Sequence, residues 1–197
     1  MARDTGRAMS PENVEIVRKP LRVHAGSSRA LDQRLVLRFP RLSDAVARLI
    51  IARLPPTSRV RQTAVWRSSR LGMEAFNRRD IDAAVSAGHP DFEYYPPREF
   101  VEMGFMEPCY RGAAGFRKFV SAWSDVFGAD LRVEPVELID LGDRVALLAE
   151  FPARAQGSGV RFTETIATVS ELKDGKAIRV HAYLDHAEAL EAAGLSE

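Results

Sequence analysis

The sequence predicts an α+β domain in which one curved antiparallel sheet carries helices on its concave face. Three observations predict it. The first is the order of patterns after Thr57: a long helix, a short helix, a strand, a helix, four strands and a last helix. The second is the set of turns between the four strands, Gly142-Asp143, Gly157-Ser158-Gly159 and Asp174-Gly175; consecutive hairpins make a meander. The third is the helix over 113–127, which gathers Phe116, Phe119, Val120, Trp123 and Val126 on one side and needs a sheet to cover them.

The elements follow in order. Residues 1–9 are expected to be disordered. Ser10 is a good N-cap with Pro11 behind it, and Val14, Ile16 and Val17 give a short helix that Pro20 stops. Ala25-Gly26-Ser27-Ser28 reads as a loop. Leu31, Leu35 and Phe39 fall at helical spacing, as do Leu42, Val46, Leu49 and Ile50, with Pro40 between the two pieces and Ser43 as a cap for the second. Pro55-Pro56 ends it. Thr57 or Ser58 then caps a helix to Arg78 with Val60, Ala64, Leu71, Ala75 and Phe76 on its apolar side.

Asp80 caps a helix over 81–87, closed by Gly88, and 92–95 is a strand that Pro96-Pro97 ends. A loop runs from there to Arg111-Gly112; loops of that length are usually functional or mobile. The four strand patterns are 131–141, 145–155, 160–172 and 177–184. Asp185 caps the last helix, with Glu188 as capping-box partner and Gly194 as its close.

Composition bounds the function classes. The chain has 197 residues, 46% hydrophobic and 28% charged, which suits one soluble domain with an appendage. No apolar run is long enough to span a membrane, and the opening residues lack the apolar core of a secretory signal. A single cysteine, Cys109, excludes an internal disulfide and fits a cytoplasmic location. The net charge of +1 conceals a split: residues 1–79 hold 17 Lys+Arg against 6 Asp+Glu, and residues 80–197 hold 11 against 21. A basic arm can therefore lie on the acidic domain, in its own chain or across a dimer.

Several motifs, taken together, resemble the SnoaL-like branch of the nuclear transport factor 2-like superfamily. Met9-Ser10-Pro11-Glu12-Asn13-Val14-Glu15-Ile16-Val17-Arg18 looks like the opening of bacterial members, and Glu74-Ala75-Phe76-Asn77-Arg78-Arg79-Asp80 like the end of the same first helix. Tyr110-Arg111-Gly112, Val133-Glu134-Pro135, Gly142-Asp143-Arg144-Val145 and Asp174-Gly175-Lys176 match recurring signatures. Tyr183-Leu184-Asp185, followed by Glu188-Ala189-Leu190-Glu191-Ala192, resembles the common tail. The resemblance implies a cone-shaped fold over 80–197, a homodimer, and a pocket for a small hydrophobic molecule. It does not imply one reaction, because such folds serve polyketide cyclases, isomerases, hydrolases, dehydratases and binding modules alike. It also implies that about 19–72 is an inserted, Arg-rich helical arm, with 10–79 as arm plus split first helix.

Alignment with limonene epoxide hydrolase sets an expected side for each strand residue, since side chains alternate across a strand. It points Glu93, Tyr95, Glu150, Pro152, Glu164, Ile166 and Ala182 inward. The hydrolase's Asp–Arg–Asp triad falls on Pro152, Glu150 and Ala182, so that mechanism is disfavoured. Tyr95 sits near where ketosteroid isomerase keeps its Asp base, so that chemistry is not supported either. What remains is Glu93, Glu150 and Glu164 in one cavity, where mutual repulsion raises a carboxyl pKa towards general acid/base use. Tyr95 is then a hydrogen-bond donor to a carbonyl or enolate oxygen.

Trp123 is expected on the cavity wall or in plain core, and Tyr110 as a ligand contact or a packing anchor. His181 shares the face opposite the pocket with Tyr183, as an interface pair or a secondary proton-transfer group. His24, His89 and His186 are scattered, so no metal spacing appears, and no cofactor is implied. Gly157-Ser158-Gly159 is a turn and not a phosphate loop, because no helix follows it. The arm admits nucleic-acid binding, membrane contact or packing on the domain. Packing is favoured, because its apolar helical faces need burial. The function expected is small-molecule binding with carboxylate acid/base chemistry, or binding alone with the arm as docking element.

Overall fold

The computed structural model describes residues 40–128, 132–154 and 161–195. In chain order the elements are α1 (Pro40–Arg53), α2 (Arg59–Asn77), α3 (Ile81–Ser86), β1 (Glu93–Tyr95), α4 (Arg98–Glu102), β2 (Tyr110–Arg111), α5 (Gly112–Phe127), β3 (Glu134–Asp140), β4 (Arg144–Arg154), β5 (Arg161–Lys173), β6 (Lys176–Tyr183) and α6 (His186–Ala193). The six strands form one sheet in the order β2-β1-β6-β5-β4-β3. The fold is the expected α+β sheet-and-helix architecture.

The caps expected from sequence set the helix ends. The Ser58 side chain accepts from the Arg61 N–H, the Asp80 side chain from Ala83, and the Asp185 side chain from Ala187 and Glu188. Gly194 takes the left-handed conformation that ends α6. Asp174 and Gly175 both have positive φ, the backbone that a tight two-residue hairpin requires between β5 and β6.

Four features differ from expectation. The sheet is mixed: β3 to β6 are antiparallel neighbours, but β1 pairs with β6 in parallel. The loop after Pro97 contains a helical turn, α4, and returns as β2, which pairs with β1. The first half of α2 packs into the core through Ala64 and Val65, as its second half does through Ala75 and Phe76, so the packed unit starts well before Asp80. The last helix packs on the sheet's other face, where Ala189 and Ala193 meet Ala167 and Val169. The expected helix over 10–20 and the turn 157–159 lie outside the described residues.

Two apolar clusters fill the space between the inner sheet face and α1, α2 and α5. One gathers Phe76, Tyr94, Phe119, Trp123, Phe151 and Ile166 with their neighbours. The other gathers Ile51, Ala64, Val65, Leu138, Val145 and Leu147. Rings dominate the first: Tyr94 and Trp123 both lie against Phe119, at 4.2 and 5.7 Å between centroids.

Candidate functional site

Register decides which side chains share the inner face. Ala149 pairs with Ile166, Leu147 with Thr168 and Val145 with Ser170. Thr168 pairs with Ala182, and Ser170 with Val180, which in turn pairs with Tyr94. These residues all point one way across the pleat. Between them and α2, α3 and α5 lies a cavity of about 260 Å³. Ile166, Thr168, Ser170 and Leu172 follow one another along its wall. Six strand steps at about 3.3 Å each make that wall roughly 20 Å long. The cavity is thus elongated and runs along the seam between the two clusters.

Among the described residues its wall is mostly apolar, with hydroxyls from Ser68, Ser69, Tyr94, Thr168 and Ser170 and no carboxylate. Two polar groups stand out. Trp123 is 2% exposed, and its indole N–H has no hydrogen-bond partner; among the described residues it is the one buried side-chain polar atom in that state. Such a donor costs about 1–3 kcal/mol unless something accepts from it. The other is Lys176, whose ammonium donates to the carbonyls of Ser86 at 2.8 Å and Gly88 at 2.9 Å. Burial, and then Arg48, push its ionisation below the ordinary lysine range. Burial pushes the Tyr94 hydroxyl the other way, above the phenol range, so it stays protonated.

The helix α1 completes the wall with Ile51. Two contacts seat it. A Cβ on Gly175 would collide with the Arg48 carbonyl, so helix and hairpin meet at a distance only glycine allows. Arg61, 4% exposed, donates to the carbonyl of Ile51 in α1 and to that of Leu54 just beyond its end while it pairs with Asp140.

Residues 70–180 match the family model of the SnoaL-like domain. The chain belongs to the SnoaL-like family. Among solved structures, this SnoaL-like chain is similar to TerC co-crystallised with polyporic acid, at 27% identity and a TM-score of 0.53 over 64% of this chain and 94% of that one. It is similar also to a nuclear transport factor 2-like protein of unknown function from Burkholderia pseudomallei K96243, at 25% identity and a TM-score of 0.52, again over 64% and 94%. No curated protein matches. The helix α1 lies outside the matched segment, yet it supplies part of this SnoaL-like cavity's wall.

The expected shared pocket of glutamates is not what the coordinates contain. Glu150 is exposed and lies on the outer face, between the buried Ala149 and Phe151. Glu164 is on the inner face, paired with Phe151, but it too is exposed and outside the cavity lining. Pro152, expected inward, is exposed opposite Thr163. Glu93 and Tyr95 lie on the outer face, because the residue of β1 that enters the core is Tyr94. The Glu93 carboxylate accepts from Arg111 at 2.9 Å, Tyr95 at 2.9 Å and Arg179 at 3.2 Å, and the Arg111 bond foremost holds its pKa below the usual carboxylate value.

The other expected residues divide. Trp123 and Ile166 line the cavity. Ala182 is buried in the same cluster but is not part of the lining. Tyr110 is a packing anchor: its ring meets Phe119, and its hydroxyl accepts from the Glu107 N–H at 2.9 Å. His181 is on the outer face, outside the cavity lining, with its ring stacked on Tyr95 at 4.3 Å. Tyr94, Met73, Ile51 and Lys176 are cavity residues that sequence reasoning missed.

Proposed function

We propose that this chain binds a small, largely apolar molecule in the cavity between the inner sheet face and the helices. The observation that carries the reading is the elongated, mostly apolar cavity itself, about 260 Å³ and lined by Tyr94, Phe119, Trp123 and Ile166. Its apolar lining would bury the body of such a ligand. TerC, a structural relative, is co-crystallised with polyporic acid, a small organic ligand, and this supports the same use of the fold here. Binding is favoured over carboxylate acid/base catalysis, because among the described residues no carboxylate lines the cavity to serve as base.

Calorimetric titration with biphenyl-4-carboxamide tests it, since that probe combines an apolar body with a carbonyl acceptor. Saturable one-to-one binding is expected. Absence of saturable binding contradicts the reading.

A further inference from the structure

We propose that the cavity's ligand is an acid, held with its ionised oxygen at Lys176 and its apolar body lying along β5. This rests on the cavity being the binding site, and it adds the ligand's charge and its direction.

Among the described residues, Lys176 is the one charged side chain that lines the cavity. Its two hydrogen bonds go to backbone carbonyls, which hold the ammonium in place without neutralising it. An ammonium has three N–H bonds, so one remains for a ligand. The charged groups of α1 nearest to it are Asp44 and Arg48, and these are paired with each other at 2.8 Å. No carboxylate among the described residues forms an ion pair with Lys176. A cation fixed beside an apolar cavity, with its own side of an ion pair unfilled, selects an anion.

The direction follows from the walls. Lys176 opens β6, beside the end of α3 at Ser86 and Gly88. Further along β5 the cavity is lined by Tyr94, Phe119, Trp123 and Ile166, which suit an apolar or aromatic body. The class is an elongated apolar compound with one ionised oxygen at an end.

The test compares biphenyl-4-carboxylate with biphenyl-4-carboxamide, probes of the same shape that differ in charge, titrated calorimetrically into the full chain at neutral pH. The carboxylate should bind about tenfold more tightly, as a charge-assisted hydrogen bond requires. Lys176→Met should abolish that preference, read as the ratio of the two affinities. Lys176→Arg should retain the preference. Equal affinity for both probes, or a preference that survives Lys176→Met, overturns the proposal while leaving the cavity as a binding site. A Lys176→Met protein that binds neither probe also overturns it, since the lysine would then shape the cavity and not read charge. If neither probe binds the unaltered chain, the binding reading itself falls.

Discussion

The Arg61 guanidinium grips the Asp140 carboxylate through two parallel bonds, Nε to Oδ2 at 2.7 Å and Nη2 to Oδ1 at 2.9 Å, with side-chain exposures of 5% and 2%. Its remaining donors reach the carbonyls of Ile51, Leu54 and Gly142. One side chain therefore ties the end of α1, the start of α2 and the β3–β4 turn together. The planar fork of arginine suits this geometry, and lysine's single point of charge does not. Arg61→Met leaves Asp140 buried and unpaired, so it should cost about 3–5 kcal/mol in urea unfolding. The double variant Arg61→Met/Asp140→Leu should recover much of that loss. A single variant within about 1 kcal/mol of the parent contradicts this account of the pair.

Gly175 tests how α1 is seated. Its φ is +73, and an added methyl would strike the Arg48 carbonyl. Gly175→Ala should destabilise the chain by roughly 1–3 kcal/mol and should speed amide exchange in α1 more than in α5. Uniform exchange across both helices would show that α1 is not held there.

The exposed glutamates should be silent. Glu150→Gln and Glu164→Gln are predicted to leave thermal stability within about 0.5 kcal/mol and probe affinity unchanged, because neither side chain lines the cavity. A fall in probe affinity for either variant would restore it to the site.

A pH effect follows from His181. Burial holds its pKa below the ordinary value of 6.5; Glu171 on β5 and Glu93 on β1 oppose the shift, and Arg179 on β6 adds to it. As pH falls through 6.5, the unfolded chain takes up its proton first. Stability is therefore present above that value and is lost as pH drops towards the folded-state pKa. His181→Phe keeps the ring stacked on Tyr95 without the titration, so the parent's melting temperature should fall more than the variant's between about pH 7 and about pH 5. Parallel curves would contradict the assignment.

Helix ends and hairpins were legible because single residues cause them: Ser58, Asp80 and Asp185 as caps, Asp174-Gly175 as a turn. Strand sidedness was harder. With three residues, β1 has too few alternations to fix its register. The longer β4 is apolar on both faces, Leu147 inward and Leu148 towards α6, so hydrophobicity there gives no clear period. Even so, a glutamate flanked by Ala149 and Phe151 reads as outward-facing, against the inward side that alignment with limonene epoxide hydrolase implies. Arg61 was hidden for another reason. It is one of many arginines before residue 80, and composition cannot tell a buried one from a solvated one.

Methyl-resolved NMR during titration with biphenyl-4-carboxamide tests the central claim most directly, because it reports where the probe sits. The account predicts saturating shifts at Ile51, Val145, Ile166 and Val180, which line the cavity, and none at the exposed Val136. Shifts confined to Val136 and other surface methyls, or no shifts at all, would contradict it.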